Sequence, residues 1–112
     1  MYKEDNMAEK EFYYIGEVAK QINIHEQTIR EYERRGLIKP QRSTRNTRIF
    51  TKKDLLQIEI IITLTQELGI NLSGVKLVME LAEIGKMSDD ELLDFITDNM
   101  PELLEFAPKT KS

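Results

Sequence analysis

The chain has 112 residues, 40% of them hydrophobic and 32% charged, with a formal net charge of −4 and no cysteine. That length suits one domain with a modest core and is too short for two full ones. The missing cysteines exclude disulfides and thiolate metal or redox chemistry, and no apolar run approaches a membrane span or secretory signal, so a cytoplasmic protein is expected.

Residues 1–11 are polar, without an apolar period, and read as an N-terminal arm. In "IGEVAKQI", Ile15, Val18, Ala19 and Ile22 fall at i, i+3, i+4 and i+7, one face of a short helix. "NIHE" breaks the period, and a second helix is expected over Gln27 to Arg35, stopped by Gly36 and Pro40. Two short helices about four residues apart have helix-turn-helix spacing. On the second helix Ile29 and Tyr32 share one side. Gln27, Arg30, Glu31 and Arg34 lie roughly opposite, because successive side chains rotate by about 100°. Arg and Gln make paired hydrogen bonds to guanine and adenine edges in a major groove, so Gln27, Thr28 and Arg34 are base-reading candidates. His25, the single histidine, is expected as a cap or packing residue rather than a metal ligand.

Ile38 to Arg42 and Thr47 to Phe50 have the composition of short strands. "STRN" between them is a turn in which Asn46 can take positive φ. Arg42, Arg45 and Arg48 would then stand near the tip of a hairpin able to grip phosphates or a minor groove. Thr51 can cap a third helix, Asp54 to Leu68, whose apolar residues surround nearly the whole wheel. Such a helix needs partners on most sides, from later helices or from a second subunit. Gly69 ends it. Asn71 caps a fourth helix with an inner face of Leu72, Val75, Val78, Met79 and Ala82, and Gly85 stops that one. Ser88 and Glu91 form a capping box for a fifth helix, and Pro101 can open a last short turn.

Charge is segregated along this layout. Residues 20–53 hold ten Lys and Arg, including Arg35 and Lys39, against Glu26, Glu31 and Glu33, a balance of +7. Residues 77–107 hold nine Asp and Glu against Lys86 alone, a balance of −8. A basic block beside an acidic one points to a polyanion-binding surface and a segment with a separate task. A solvated helix face would account for one pair, Glu31 with Arg35, but not for the excess running from helix to hairpin. With one histidine, no cysteine and no glycine-rich phosphate loop, neither an enzyme nor a cofactor or metal site is expected.

The stretch "YYIGEVAKQINIHEQTIREYERRGLIKPQR", followed by "TRIFT" and "DL", resembles the DNA-binding domain of MerR-type winged-helix regulators. The landmarks are Ile15-Gly16-Glu17, Thr28-Ile29-Arg30, Tyr32-Glu33, Gly36-Leu37-Ile38 with Pro40, and Arg48-Ile49-Phe50. "HEQTIREY" and "QELGINLSGVKLVMEL" are most similar to the heat-shock-repressor (HspR-type) subgroup. The resemblance implies a mainly α, winged helix-turn-helix fold over residues 12–84, with a two-stranded wing and further C-terminal helices. It marks Arg30, Tyr32, Arg42 and Arg48 as DNA contacts, and implies a homodimer on an inverted repeat of double-stranded DNA with a DnaK-type chaperone as co-repressor. A nitrogen-responsive regulator of the same superfamily, and an adaptor docking an acidic protein, are the alternatives. The sequence departs from the family where Gly85 interrupts a long dimerisation helix, where the wing lacks glycines, and where Tyr14 replaces a capping Thr or Ser. The acidic segment, residues 85–112, could cover the core, complete a dimer, meet a partner or lie on the chain's own basic face. Ile60, Ile61, Leu64, Leu92, Phe95, Ile96 and Leu103 are the candidate dimer or partner residues.

Overall fold

The computed structural model describes residues 11–108, so the arm expected over 1–11 lies almost wholly outside the described residues. The chain divides into two compact units between Leu55 and Leu56.

The first unit opens with α1, Ile15–Ile22. Its start has half of a capping box: the Tyr14 N–H donates to the Glu17 carboxylate at 2.9 Å, but Tyr14 supplies no side-chain cap in return. Val18 and Ala19 are buried, and Asn23 takes a left-handed φ of 65° to leave the helix. The second helix, α2, spans Glu26–Arg34, one residue earlier at each end than expected, and packs on α1. His25 occupies its N-cap position, as expected of a cap residue, but it is exposed and caps through its backbone carbonyl alone, with no side-chain cap bond. The exit is a Schellman turn. Gly36 sits at φ 78°, its N–H returns to the Glu33 carbonyl, and the Leu37 N–H returns to that of Tyr32, both at 2.9 Å.

The wing is shorter than the composition suggests. Strands β1, Gln41–Arg42, and β2, Arg48–Ile49, pair antiparallel with Arg42 opposite Arg48. Ile38 and Pro40 are buried instead of extending β1, Pro40 having no N–H to give a ladder. The turn is held by the Ser43 hydroxyl, which accepts from Arg45 and Thr47 N–H at 3.2 Å, and by Asn46 at φ 66°. Phe50 leaves the hairpin for a different partner, Tyr13, with reciprocal backbone bonds of 2.7 and 2.8 Å.

The third helix, α3, runs over Lys52–Ile62. Thr51 and Asp54 cap it reciprocally: Asp54 N–H donates to the Thr51 hydroxyl at 3.2 Å, and Thr51 N–H to the Asp54 carboxylate at 2.9 Å. The expected helix to Leu68 changes character at Thr63–Glu67, which form a π-helical turn. Here the Thr63 hydroxyl donates to the Glu59 carbonyl and the Thr65 hydroxyl to that of Ile61, both at 2.9 Å. Such back-bonding loosens the i→i−4 ladder.

In the second unit this turn packs on α4, Leu72–Ile84. The Asn71 side chain caps α4 by accepting from Gly74 N–H at 2.9 Å. Replacing Asn71 with Ala should therefore cost about 1 kcal/mol in a denaturant melt, and a loss near zero would mean water serves that N–H equally well. Of the expected inner face only Val75 is fully buried, while Leu77, Leu81 and Ile84 stand exposed. Helix α5, Asp89–Asp98, has the Ser88–Glu91 capping box complete, with bonds of 3.1 and 2.9 Å. It packs on the short α6, Met100–Leu104, where Pro101 fits the first turn. Among the described residues no helix is long and apolar enough to cross a membrane.

Candidate nucleic-acid interface

The amphipathic pattern of α2 decides what it offers. Ile29 and Tyr32 are buried, so the ring of Tyr32 belongs to the core. The resemblance implies a DNA contact at Tyr32, which is 5% exposed in the single chain. Gln27, Arg34 and Arg35 are exposed, with Thr28, Arg30 and Glu31 half-buried beside them. Lys39 and, at the wing tip, Arg45 are exposed.

Every acidic residue of the basic block holds arginine. Arg30 donates to Glu26 at 3.1 Å and to the Gln27 side-chain carbonyl at 2.9 Å. Glu31 takes two partners, Arg34 and, at 2.9 Å, the Nε of Arg35. Glu33 also takes two, both from the wing: Arg48 Nε at 2.6 Å and Arg42 Nη2 at 3.3 Å. Arg42 donates in addition to the Asn46 carbonyl at 3.2 Å. Arg45 alone among the six arginines makes no ion pair among the described residues.

The sequence shows Glu33 as a charge and a family landmark but not its tie to the wing. The Glu33 carboxylate ties α2 to both strands of the wing. Nine and fifteen residues separate it from its two partners, and no local spacing rule reaches that far. The Glu31–Arg35 pair, at i and i+4, was legible and is present. Among the described residues no cluster of His, Asp and Glu could hold a metal ion.

Of the candidate dimer or partner residues, Ile60, Ile61, Leu64, Leu92 and Ile96 are buried within the single chain. Leu103 is half-buried, and Phe95 is 55% exposed. That set therefore splits into core residues and a small accessible remainder.

Two helices at helix-turn-helix spacing, followed by an arginine-bearing two-stranded hairpin, define a winged helix-turn-helix protein. Residues 13–82 match the MerR HTH family of regulatory proteins, and the chain belongs to that family. It is 38% identical over 69 residues to a heat shock protein HspR of Streptomyces coelicolor, covering 61% of this chain and 46% of that protein. It is 29% identical over 82 residues to the mercuric resistance operon regulatory protein of Bacillus cereus, covering 72% of this chain and 61% of the relative. The chain thus spans about half the length of one relative and three fifths of the other. Among solved structures it is similar to HiNmlR, a MerR family regulator lacking the sensor domain, bound to promoter DNA. The TM-score is 0.65 and the identity 26%, over 85% of this chain and 71% of that one.

Proposed function

We propose that this chain is a sequence-specific DNA-binding transcriptional regulator whose DNA-binding domain spans residues 12–84. It works as a homodimer on an inverted repeat and represses chaperone genes in the HspR manner, with a DnaK-type chaperone as co-repressor. The observation that carries the reading is the joining of the open side of α2 to an arginine-bearing wing. The exposed side of α2, with Gln27, Arg30 and Arg34, is joined through Glu33 to the wing arginines Arg42 and Arg48, with Arg45 at the tip. In this reading α2 enters the major groove and the wing holds the flanking backbone. The similarity to HspR supports the heat-shock assignment, and the DNA-bound MerR-family relative supports the mode of docking.

The deciding experiment measures binding to a labelled inverted-repeat duplex and to a scrambled one, each with and without a DnaK-type chaperone. The expected preference is about 10³-fold or more, roughly 4 kcal/mol, with chaperone tightening the specific complex. Weak and equal binding to both duplexes would favour an adaptor that docks an acidic protein. Within the interface, Arg30→Ala should weaken binding to all sequences alike, by a margin that its existing pair with Glu26 keeps small, while Gln27→Ala should chiefly relax base preference. Equal losses on operator and random DNA for Gln27→Ala would remove Gln27 from the base-reading set.

A further inference from the structure

Glu26, Glu31 and Glu33 are the only acidic residues in the basic block, and between them they hold five of the six arginines. Glu31 differs from the other two in where it stands. It holds two guanidinium groups that are themselves well exposed, with side-chain accessibilities of 66% for Arg34 and 58% for Arg35, and it is 30% accessible itself. It also shares the open side of α2 with Gln27 and Arg34.

We propose that Glu31 is a specificity-determining residue: its carboxylate stands in for a DNA phosphate on Arg34 and Arg35 and is displaced only by a matching site. This rests on the DNA-binding reading above. Non-specific affinity for DNA comes from cations that neutralise phosphates and release counterions. An arginine already bonded to a carboxylate exchanges one charge-assisted bond for another when it moves to a phosphate, so it gains little. The exchange also leaves the Glu31 carboxylate uncompensated beside a polyanion. On random sequence Arg34 and Arg35 therefore contribute weakly. On a matching sequence the freed carboxylate has a partner, since a Glu in the major groove accepts from the cytosine N4 amino group. Discrimination arises because the wrong site leaves a charge unpaired, which separates sites more sharply than an added attraction alone.

The test is Glu31→Gln in the full chain, titrated against the scrambled and inverted-repeat duplexes over a range of salt. The amide keeps the shape and removes the charge. The variant should bind the scrambled duplex about tenfold tighter, and the slope of log K against log salt should steepen by up to about 1.8, two phosphates at about 0.9 each. The preference for the inverted repeat should fall correspondingly. Glu83→Gln makes the same change of net charge at an exposed position of α4 that pairs with no arginine, and should leave the slope unaltered. Unchanged scrambled-duplex affinity and slope in Glu31→Gln, or an equal gain in Glu83→Gln, would overturn the proposal while the DNA-binding reading stands. Failure of the unsubstituted chain to bind either duplex would overturn both.

Discussion

Phe50→Ala is expected to lower the stability of the first unit by about 3–5 kcal/mol. The side chain is fully buried, and truncating a buried phenylalanine loses its transfer free energy and leaves a cavity that the surroundings close only in part. Here the surroundings are poorly placed to collapse. The Phe50 backbone is clamped to Tyr13 by two short hydrogen bonds, so neither strand can shift inward without breaking them. Ordinary domains have roughly 5–15 kcal/mol in total, which puts this one substitution near the margin of folding. The chain has no tryptophan, so urea unfolding followed by far-UV circular dichroism is the suitable measurement. Phe12→Ala is the control: Phe12 is 45% exposed and touches Tyr14 edge to face, and its loss should stay within about 1 kcal/mol. A loss below about 1 kcal/mol for Phe50→Ala would mean that the site re-closes, and that Phe50 is not the anchor of the wing's return strand.

Phe50 also marks the limit of what the sequence discloses. Helix ends governed by chemistry within four residues were legible: Thr51 with Asp54, Asn71 with Gly74, Ser88 with Glu91, and Gly36 after α2. Each is a side chain or a glycine serving backbone groups next to it, and such patterns need no knowledge of the fold. The apolar side of α2 was legible for the same reason. Contacts that close over longer spans were not. Nothing near Phe50 announces a bridge to Tyr13, and nothing near Glu33 announces Arg42 and Arg48, because those partners are chosen by how the chain returns on itself. Local pattern erred where two local demands competed. The apolar period carries the third helix through to Leu68, but the last turn is π-helical, where the Thr63 and Thr65 hydroxyls donate to the Glu59 and Ile61 carbonyls and compete with the ladder. The candidate interface follows the same division: its positive charge was visible in the composition, whereas the ion pairing of five of its six arginines was legible only for Glu31 with Arg35.

The acidic segment tests the division between core and accessible surface most directly, through two adjacent residues of α5. Ile96→Ala should cost about 2–5 kcal/mol, and Phe95→Ala should be nearly silent for folding. Ile96 is 3% exposed and Phe95 is 55% exposed, although a hydrophobicity scale alone would rank them alike. Helical geometry turns neighbouring side chains by about 100°, so one enters the core of the second unit while the other faces out. Leu92, one turn earlier, is buried with Ile96, so deleting the segment would remove two core side chains together. Burial of each is worth about 1.5–3 kcal/mol, and the truncated chain should then melt early or not fold. Any loss of dimer or chaperone binding in such a truncation would report misfolding rather than a missing contact. The informative pair is Phe95→Ala, read by sedimentation and by chaperone binding, beside Ile96→Ala, read by urea unfolding. A Phe95→Ala chain that melts normally but loses self-association or chaperone binding would assign the exposed ring to a partner. One that melts as early as Ile96→Ala would place Phe95 in the core and remove it from the candidate contacts.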